Sequence, residues 1–148
     1  MTHMHHKPDP AATVARLIAE GWTVETDEGF IGLIGPFFRR ETPEGPEFCF
    51  PTDKRHHNLR GVLQGGALMS FADRILGMTA RHHTKATRTA TVQLDVSFID
   101  AVQIGETVEA TPHMVRATKS IVFLRTELRV GARVVGTAQG VWKLLRPL

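Results

Sequence analysis

Apolar positions along the chain recur with two different periods, and each period predicts a different kind of element. Between Ala67 and His82 they fall three or four residues apart, which predicts one long helix. A shorter helix is predicted after Asp9, which can cap it, with Pro10 in the first turn and Gly21 at the end. The predicted core-facing positions of the long helix are Leu68, Phe71, Ala72, Ile75, Leu76 and Thr79.

The remaining segments follow the period of two that is typical of strands. The clearest example is Thr89–Ile99, where alternation predicts one face made of Val92, Leu94, Val96 and Phe98. Two strands are predicted before the long helix and four after it, with short turns that favour an antiparallel meander. The predicted strands are Phe30–Arg40, Glu47–Thr52, Thr89–Ile99, Gly105–Val115, Ser120–Val130 and Arg133–Leu145.

This order of elements predicts an α+β domain in which one long central helix packs against a curved antiparallel sheet. The 148 residues fit a single domain, with residues 1–8 as a flexible tail. The short N-terminal helix is too small to cover the opposite face of the sheet. We therefore expect pairing with a second copy of the chain, as a dimer or a dimer of dimers.

Composition excludes several classes of function. A net charge of +3 and few aromatic residues argue against nucleic-acid binding. A single cysteine, Cys49, permits no internal disulfide and is expected to be a small buried hydrophobe. No apolar stretch approaches the roughly 20 residues of a membrane span, and the first residues lack the apolar centre of a signal peptide, so we expect a cytoplasmic protein. No metal motif is found, and His82 and His83 are expected to be helix-end residues.

Two features of the long helix suggest chemistry. Gly65 and Gly66 open the helix, so that its first backbone N–H groups can be approached closely and can bind a negative or developing negative oxygen. Asp73 lies seven residues after Gly66, on the same helical face and about 10 Å along the axis. That distance is too long for one reaction centre within one chain. A shared site would therefore need a second subunit, although a solvated aspartate after an ordinary glycine pair remains the alternative.

The segment from Asn58 to Asp73 resembles the signature of the PaaI-like branch of hotdog-fold thioesterases. That signature has Asn, two residues, Gly, two residues and His-Gly-Gly, then an Asp nine residues after the His. Asn58, Gly61, Gly65, Gly66 and Asp73 are in register with it, and Gly35-Pro36 and the strand Thr91–Phe98 also match. The resemblance covers roughly residues 30–145. It implies a hotdog fold and hydrolysis of an acyl-CoA thioester, with CoA as part of the substrate and no separate cofactor.

The resemblance also implies roles for individual residues. The Gly65 amide, assisted by Asn58, polarises the thioester carbonyl, and Asp73 of the partner subunit attacks it or activates water. Thr91 can hydrogen-bond the water or Asp73, or it can be purely structural. Gln64 stands where the family has His, and it can bind or orient substrate but cannot act as an acid or base. Substrate contacts are expected from Gly66 and His57 near the helix start. Arg116, Lys119 and Arg125 are candidate contacts to the CoA phosphates, and a solvated basic face explains these three residues equally well.

Other functions stay open on the sequence alone. The Gln64 replacement is compatible with a non-catalytic module that binds acyl-CoA. A hydratase of the same fold is disfavoured because the Asp/His or His/Glu pair of such enzymes is absent from this region. A purely structural domain is disfavoured by the glycine pair and the aspartate on one helix face.

Overall fold

The computed structural model describes residues 9–147 as three α-helices and eight β-strands. The prediction of a flexible tail concerns residues 1–8, which lie outside the described residues. The helices are α1 (Pro10–Ala19), α2 (Phe30–Ile34) and α3 (Gly65–Thr84). The strands are β1 (Thr23–Glu25), β2 (Phe37–Thr42), β3 (Gly45–Pro51), β4 (Arg88–Phe98), β5 (Thr107–Ala110), β6 (His113–Ala117), β7 (Ile121–Val130) and β8 (Arg133–Leu145).

The strands form one antiparallel sheet in the order β1-β2-β3-β5-β7-β8-β4, and β6 pairs with β7 beside β5. Helix α3 packs against one face of this sheet, which we call the inner face. The predicted α+β arrangement is therefore confirmed. The predicted meander is wrong in one respect, because β4 pairs with β8 at the sheet edge and not with the strand that follows it.

The buried side of α3 forms the centre of the core. Every position predicted to face the core is buried, and Phe71, Ile75 and Leu76 are fully so. Removing a side chain of this size from water contributes about 1.5–3 kcal/mol, so α3 is held chiefly by this face.

Helix α1 covers only one end of the opposite, outer face. The Asp9 carboxylate accepts a hydrogen bond from the Ala11 amide at 3.2 Å, as expected of a cap.

A second small core forms around Leu17, Trp22, Phe38 and Cys49. Burial, followed by the nearby Glu109 carboxylate, raises the pKa of the Cys49 thiol to about 12. Cys49 is therefore the buried hydrophobe expected. Among residues 9–147, no helix covers the outer face of the later strands.

Two predicted strands are wrong in detail. Residues 30–34 form α2 and not a strand, and the following strand begins only at Phe37. The predicted strand Gly105–Val115 is two strands, because the chain breaks its pairing at Thr111–Pro112. Proline has no N–H to give to a sheet, which accounts for the break.

Strand β4 contains a bulge at Val92 that reverses its alternation. The register with β8 shifts between Thr91 and Gln93, and Val92 is 62% exposed instead of facing the core. Leu94 and Val96 pack against the core as predicted. Because the bulge adds one residue, the odd-numbered Thr91 faces the same inner side as these even-numbered residues.

Candidate active site

The start of α3 presents unpaired backbone amides. Gln64 is the N-cap residue with extended backbone, and its side chain makes no capping bond. Among residues 9–147, neither the Gly65 N–H nor the Gly66 N–H donates a hydrogen bond. A Cβ added to Gly65 would lie 3.2 Å from the Phe98 ring, so the ring borders this position. Free amides at the positive end of a 20-residue helix can stabilise an oxyanion.

The loop before α3 is held by Asn58. Its side-chain oxygen accepts hydrogen bonds from the Arg60 and Val62 amides, at 2.8 and 3.3 Å. Gly61, at a φ of +80°, donates its N–H to the Asn58 carbonyl at 2.9 Å. The carboxamide oxygen of Asn58 is thus committed to the loop, and only its NH₂ group is available as a donor to a ligand.

Asp73 is half-buried on α3 and bonded to the neighbouring strand. The Thr91 hydroxyl donates a hydrogen bond of 2.7 Å to the Asp73 carboxylate. The bulge at Val92 is what turns Thr91 towards α3. The next residue, Arg74, forms an ion pair of 3.3 Å with Asp27, and its Nε is buried without a partner among the described residues.

Within one chain, the two parts of the candidate site remain separate. Asp73 and Gly65 lie on one straight helix, and eight residues correspond to about 12 Å along its axis. Gln64, Gly66 and the exposed His57 stand at the Gly65 end, whereas Thr91 stands at the Asp73 end.

The basic residues predicted to bind phosphate lie elsewhere. Arg125 alternates with buried neighbours on β7 and points to the outer face, and Arg116 pairs with Phe123 on the same face. Lys119 is exposed in the turn between β6 and β7. The structure therefore does not bring these three residues to Asp73 or Gly65 within one chain.

A groove of about 740 Å³ lies on the outer face. Acidic and basic side chains alternate along it, among them Asp95, Glu109, Arg125 and Glu127. It is separated from Asp73 and Gly65 by the thickness of the sheet. The groove is therefore not the reaction centre, despite its volume.

Two residues of the segment before α3, His56 and Arg60, have no functional role predicted from the sequence. His56 is only 4% exposed and fully hydrogen-bonded, whereas its neighbour His57 is exposed. Arg60 is exposed within the loop that the Asn58 side chain holds. The sequence does not indicate which of His56 and His57 is buried, because both precede the motif in the same polar segment.

Two kinds of feature, a cluster of metal ligands and a membrane-spanning helix, are absent from the described residues. Among residues 9–147, no three His, Cys, Asp or Glu side chains are grouped so that they could hold a metal ion. The helices in this part of the chain are all too short or too polar to cross a membrane.

Comparison with known proteins identifies the family of the chain. The family described as the thioesterase superfamily matches residues 60–137, which is more than half of the chain. A candidate esterase of Pseudomonas aeruginosa is 28% identical over 116 residues, covering 77% of this chain and 87% of that protein.

Solved structures show the same fold at low sequence identity. Zebrafish thioesterase superfamily member 2 aligns with a TM-score of 0.72 and 18% identity, over 90% of this chain and 97% of that one. The E. coli PaaI protein from the phenylacetic acid degradation operon aligns with a TM-score of 0.64 and 17% identity, over 92% and 90%. The chain therefore belongs to the thioesterase superfamily and has its hotdog fold, a membership that indicates acyl thioester hydrolysis as its general chemistry.

Proposed function

We propose that this chain hydrolyses acyl-CoA thioesters at a site shared between two copies of itself. One subunit supplies the amides at the start of α3, and the other supplies the Asp73 carboxylate. The single observation that carries the proposal is the pair of unpaired Gly65 and Gly66 amides at a helix N-terminus.

The amides receive the carbonyl oxygen of the thioester. Negative charge grows on that oxygen as the tetrahedral intermediate forms, so donors fixed in advance stabilise the transition state more than the substrate. The Asn58 NH₂ group is a further donor, because its carboxamide oxygen is already occupied by the loop. Gln64, with no capping bond of its own, orients the thioester beside them.

Asp73 activates the attacking water. Its carboxylate takes a proton as the water oxygen bonds to the carbonyl carbon, and the intermediate collapses with cleavage of the carbon–sulfur bond. The proton then passes to the CoA thiolate, so that a free acid and CoA leave. Thr91 keeps the carboxylate in a fixed orientation through its 2.7 Å hydrogen bond. In the competing route, Asp73 attacks the carbonyl itself and forms an anhydride that water hydrolyses.

The free edge of β4 supports the assembly. Within the part of the chain that the structure describes, this 11-residue strand pairs only with β8, and the exposed Val92, Phe98 and Ile99 lie on or beside it. A long edge strand with exposed apolar side chains favours pairing with another chain. An antiparallel pairing of two β4 strands lets each Asp73 approach the helix start of the other chain.

Basic side chains serve the CoA phosphates. Arg60 is an exposed basic residue of the loop that precedes α3, and we include it among the candidates. Arg116, Lys119 and Arg125 remain proposed phosphate contacts from another subunit of the assembly, because they lie away from Asp73 of their own chain. Guanidinium groups bind phosphate with two parallel hydrogen bonds.

A mixed dimer tests the shared site. One subunit carries Asp73→Ala and the other carries Gly65→Pro, each with its own affinity tag, and the dimer with both tags is purified. Each homodimer is inactive, whereas the mixed dimer has one intact site and recovers roughly half of the wild-type activity. A mixed dimer as inactive as its parents would contradict the proposal.

Release of CoA thiol from a panel of aryl, medium-chain and long-chain acyl-CoAs tests the reaction itself. Turnover of at least one thioester that is lost in Asp73→Ala supports hydrolysis. Single turnover in ¹⁸O-labelled water then tests for the anhydride route, because label enters the Asp73 carboxyl only when water attacks the Asp73 carbonyl of an anhydride. Tight acyl-CoA binding without release of thiol would instead favour the non-catalytic module that Gln64 leaves open.

A further inference from the structure

His56 is buried at the point where three segments of the chain meet. It ends the short 3₁₀ turn Lys54–His56, and its ring stands edge-on to Phe50 with the ring centres 4.8 Å apart. The side chain is almost wholly removed from solvent. A polar ring in this position requires a hydrogen bond at each nitrogen.

Both ring nitrogens are occupied, and their partners fix the tautomer. The Asp53 amide donates to Nδ1 at 2.9 Å, so Nδ1 carries no hydrogen. Nε2 faces the carbonyl oxygen of Ile34, which can only accept, so Nε2 carries the hydrogen and donates it. The imidazole is therefore neutral and bonds the turn to the C-terminal end of α2.

The backbone of His56 continues this link to α3. Its carbonyl oxygen accepts the Gln64 N–H at 2.8 Å. Gln64 is the N-cap residue, and the following peptide carries the free Gly65 N–H. One chain of hydrogen bonds thus runs from the Ile34 carbonyl through the His56 ring and backbone to the residue before the free amide.

We propose that His56 is a positioning residue of the active site. By anchoring its own turn to Ile34, it fixes the Gln64–Gly65 peptide and therefore the direction of the oxyanion-binding N–H. His56 touches no substrate and moves no proton, since both of its nitrogens are engaged within the chain. This inference rests on the proposed function.

Two substitutions test the two hydrogen bonds of the His56 ring separately. His56→Gln extends an amide NH₂ towards the Nε2 position and keeps a donor for Ile34. His56→Asn holds an oxygen near the Nδ1 position, so it keeps the acceptor for Asp53 but loses the bond to Ile34. The proposal predicts that His56→Asn lowers kcat roughly ten- to a hundredfold with little change in KM, since small misplacement of a catalytic group costs this much. His56→Gln retains most of kcat.

A spectroscopic readout makes the inference independent of turnover. In ¹⁵N-labelled protein, the amide resonance of Gly65 shifts in His56→Asn and stays near its wild-type position in His56→Gln. Equal kcat and equal Gly65 resonances in the two variants overturn the proposal. If the wild-type protein hydrolyses no thioester, the resonances still decide whether His56 fixes the helix start.

A second pair covers the case in which His56→Asn does not fold. Gln64 has φ −64° and ψ 131°, which proline can adopt. Gln64→Pro and Gln64→Ala both remove the carboxamide, but only the proline also removes the N–H that bonds to His56. The proposal predicts a kcat about tenfold lower for proline than for alanine, and equal values overturn it.

Discussion

The two halves of α3 differ in how many of their side chains are buried in the core. Residues 75–84 are anchored in the core, where Ile75, Leu76, Thr79 and Ala80 are fully buried. Residues 65–74 bury fewer side chains and instead present Gly65, Gly66 and a half-buried Asp73. A rigid anchor in one half allows the other half to hold polar groups at fixed positions without packing of their own. Substitutions of the glycine and polar positions in the first half should therefore change activity, and substitutions of the buried positions in the second half should change stability.

The largest effect is expected from Asp73→Asn, which keeps the shape of the side chain and removes its charge. Loss of a general base lowers kcat by about 10²–10⁴-fold, while the melting temperature stays near wild type. Release of CoA thiol measures kcat, and thermal unfolding measures the melting temperature. Asp95→Asn on the outer face is the matched control, and comparable losses in both variants would refute a special role for Asp73.

Gly65→Pro is expected to follow in size. Proline is well tolerated at the first helical position and removes only the N–H there, so kcat falls about 10²–10³-fold in a folded protein. Gly65→Ala is the control, because it adds a Cβ against Phe98 and keeps the N–H. If alanine is as harmful as proline, crowding and not the lost donor explains the effect.

Leu76→Ala tests the anchoring half. The side chain is fully buried, and its truncation should lower the free energy of unfolding by about 2–5 kcal/mol. Chemical denaturation gives this value, and kcat of the folded protein should remain close to wild type. A large loss of kcat without a loss of stability would erase the distinction between the halves.

The smallest effect is expected at the C-terminal end, from His83→Gln. Burial, followed by the charges of His82, Lys85 and His113, lowers the pKa of His83 below its ordinary 6.5. The unfolded chain then binds the proton at higher pH than the folded protein. The resulting contribution to stability is complete above pH 6.5 and is lost as the pH falls from 6.5 to the folded pKa.

Unfolding measured between pH 8 and pH 5 should accordingly show a shallower loss of stability in His83→Gln than in the wild type. Identical pH dependence in the two proteins would show that the helix end does not hold His83 in its neutral form. Activity should be the same in both, since His83 lies far from the amides at the start of the helix.

The sequence predicted the long helix well because its period is sustained over many residues. It did not predict α2, since a five-residue apolar run such as Phe30–Ile34 fits a strand or a helix equally well. The break at Pro112 is predictable from the sequence, because proline interrupts a sheet, but a single strand Gly105–Val115 was predicted.

The site could be predicted only in part. The motif gave the positions of Gly65 and Asp73, but their roles remain predictions. The burial of His56 next to an exposed His57 depends on Ile34, Phe50 and Asp53, which come together only in the folded chain. Contacts of this kind leave no local pattern in the sequence.

The bulge at Val92 imposes a constraint on the length of β4 and not on its composition. Upstream of it, Thr91 reaches the carboxylate on the helix, and downstream of it, Leu94 fills the core. Deleting one residue here would leave each portion of the strand intact but would turn one of them to the wrong side. Related chains should accordingly accept many side chains at position 92 yet rarely lose the position itself.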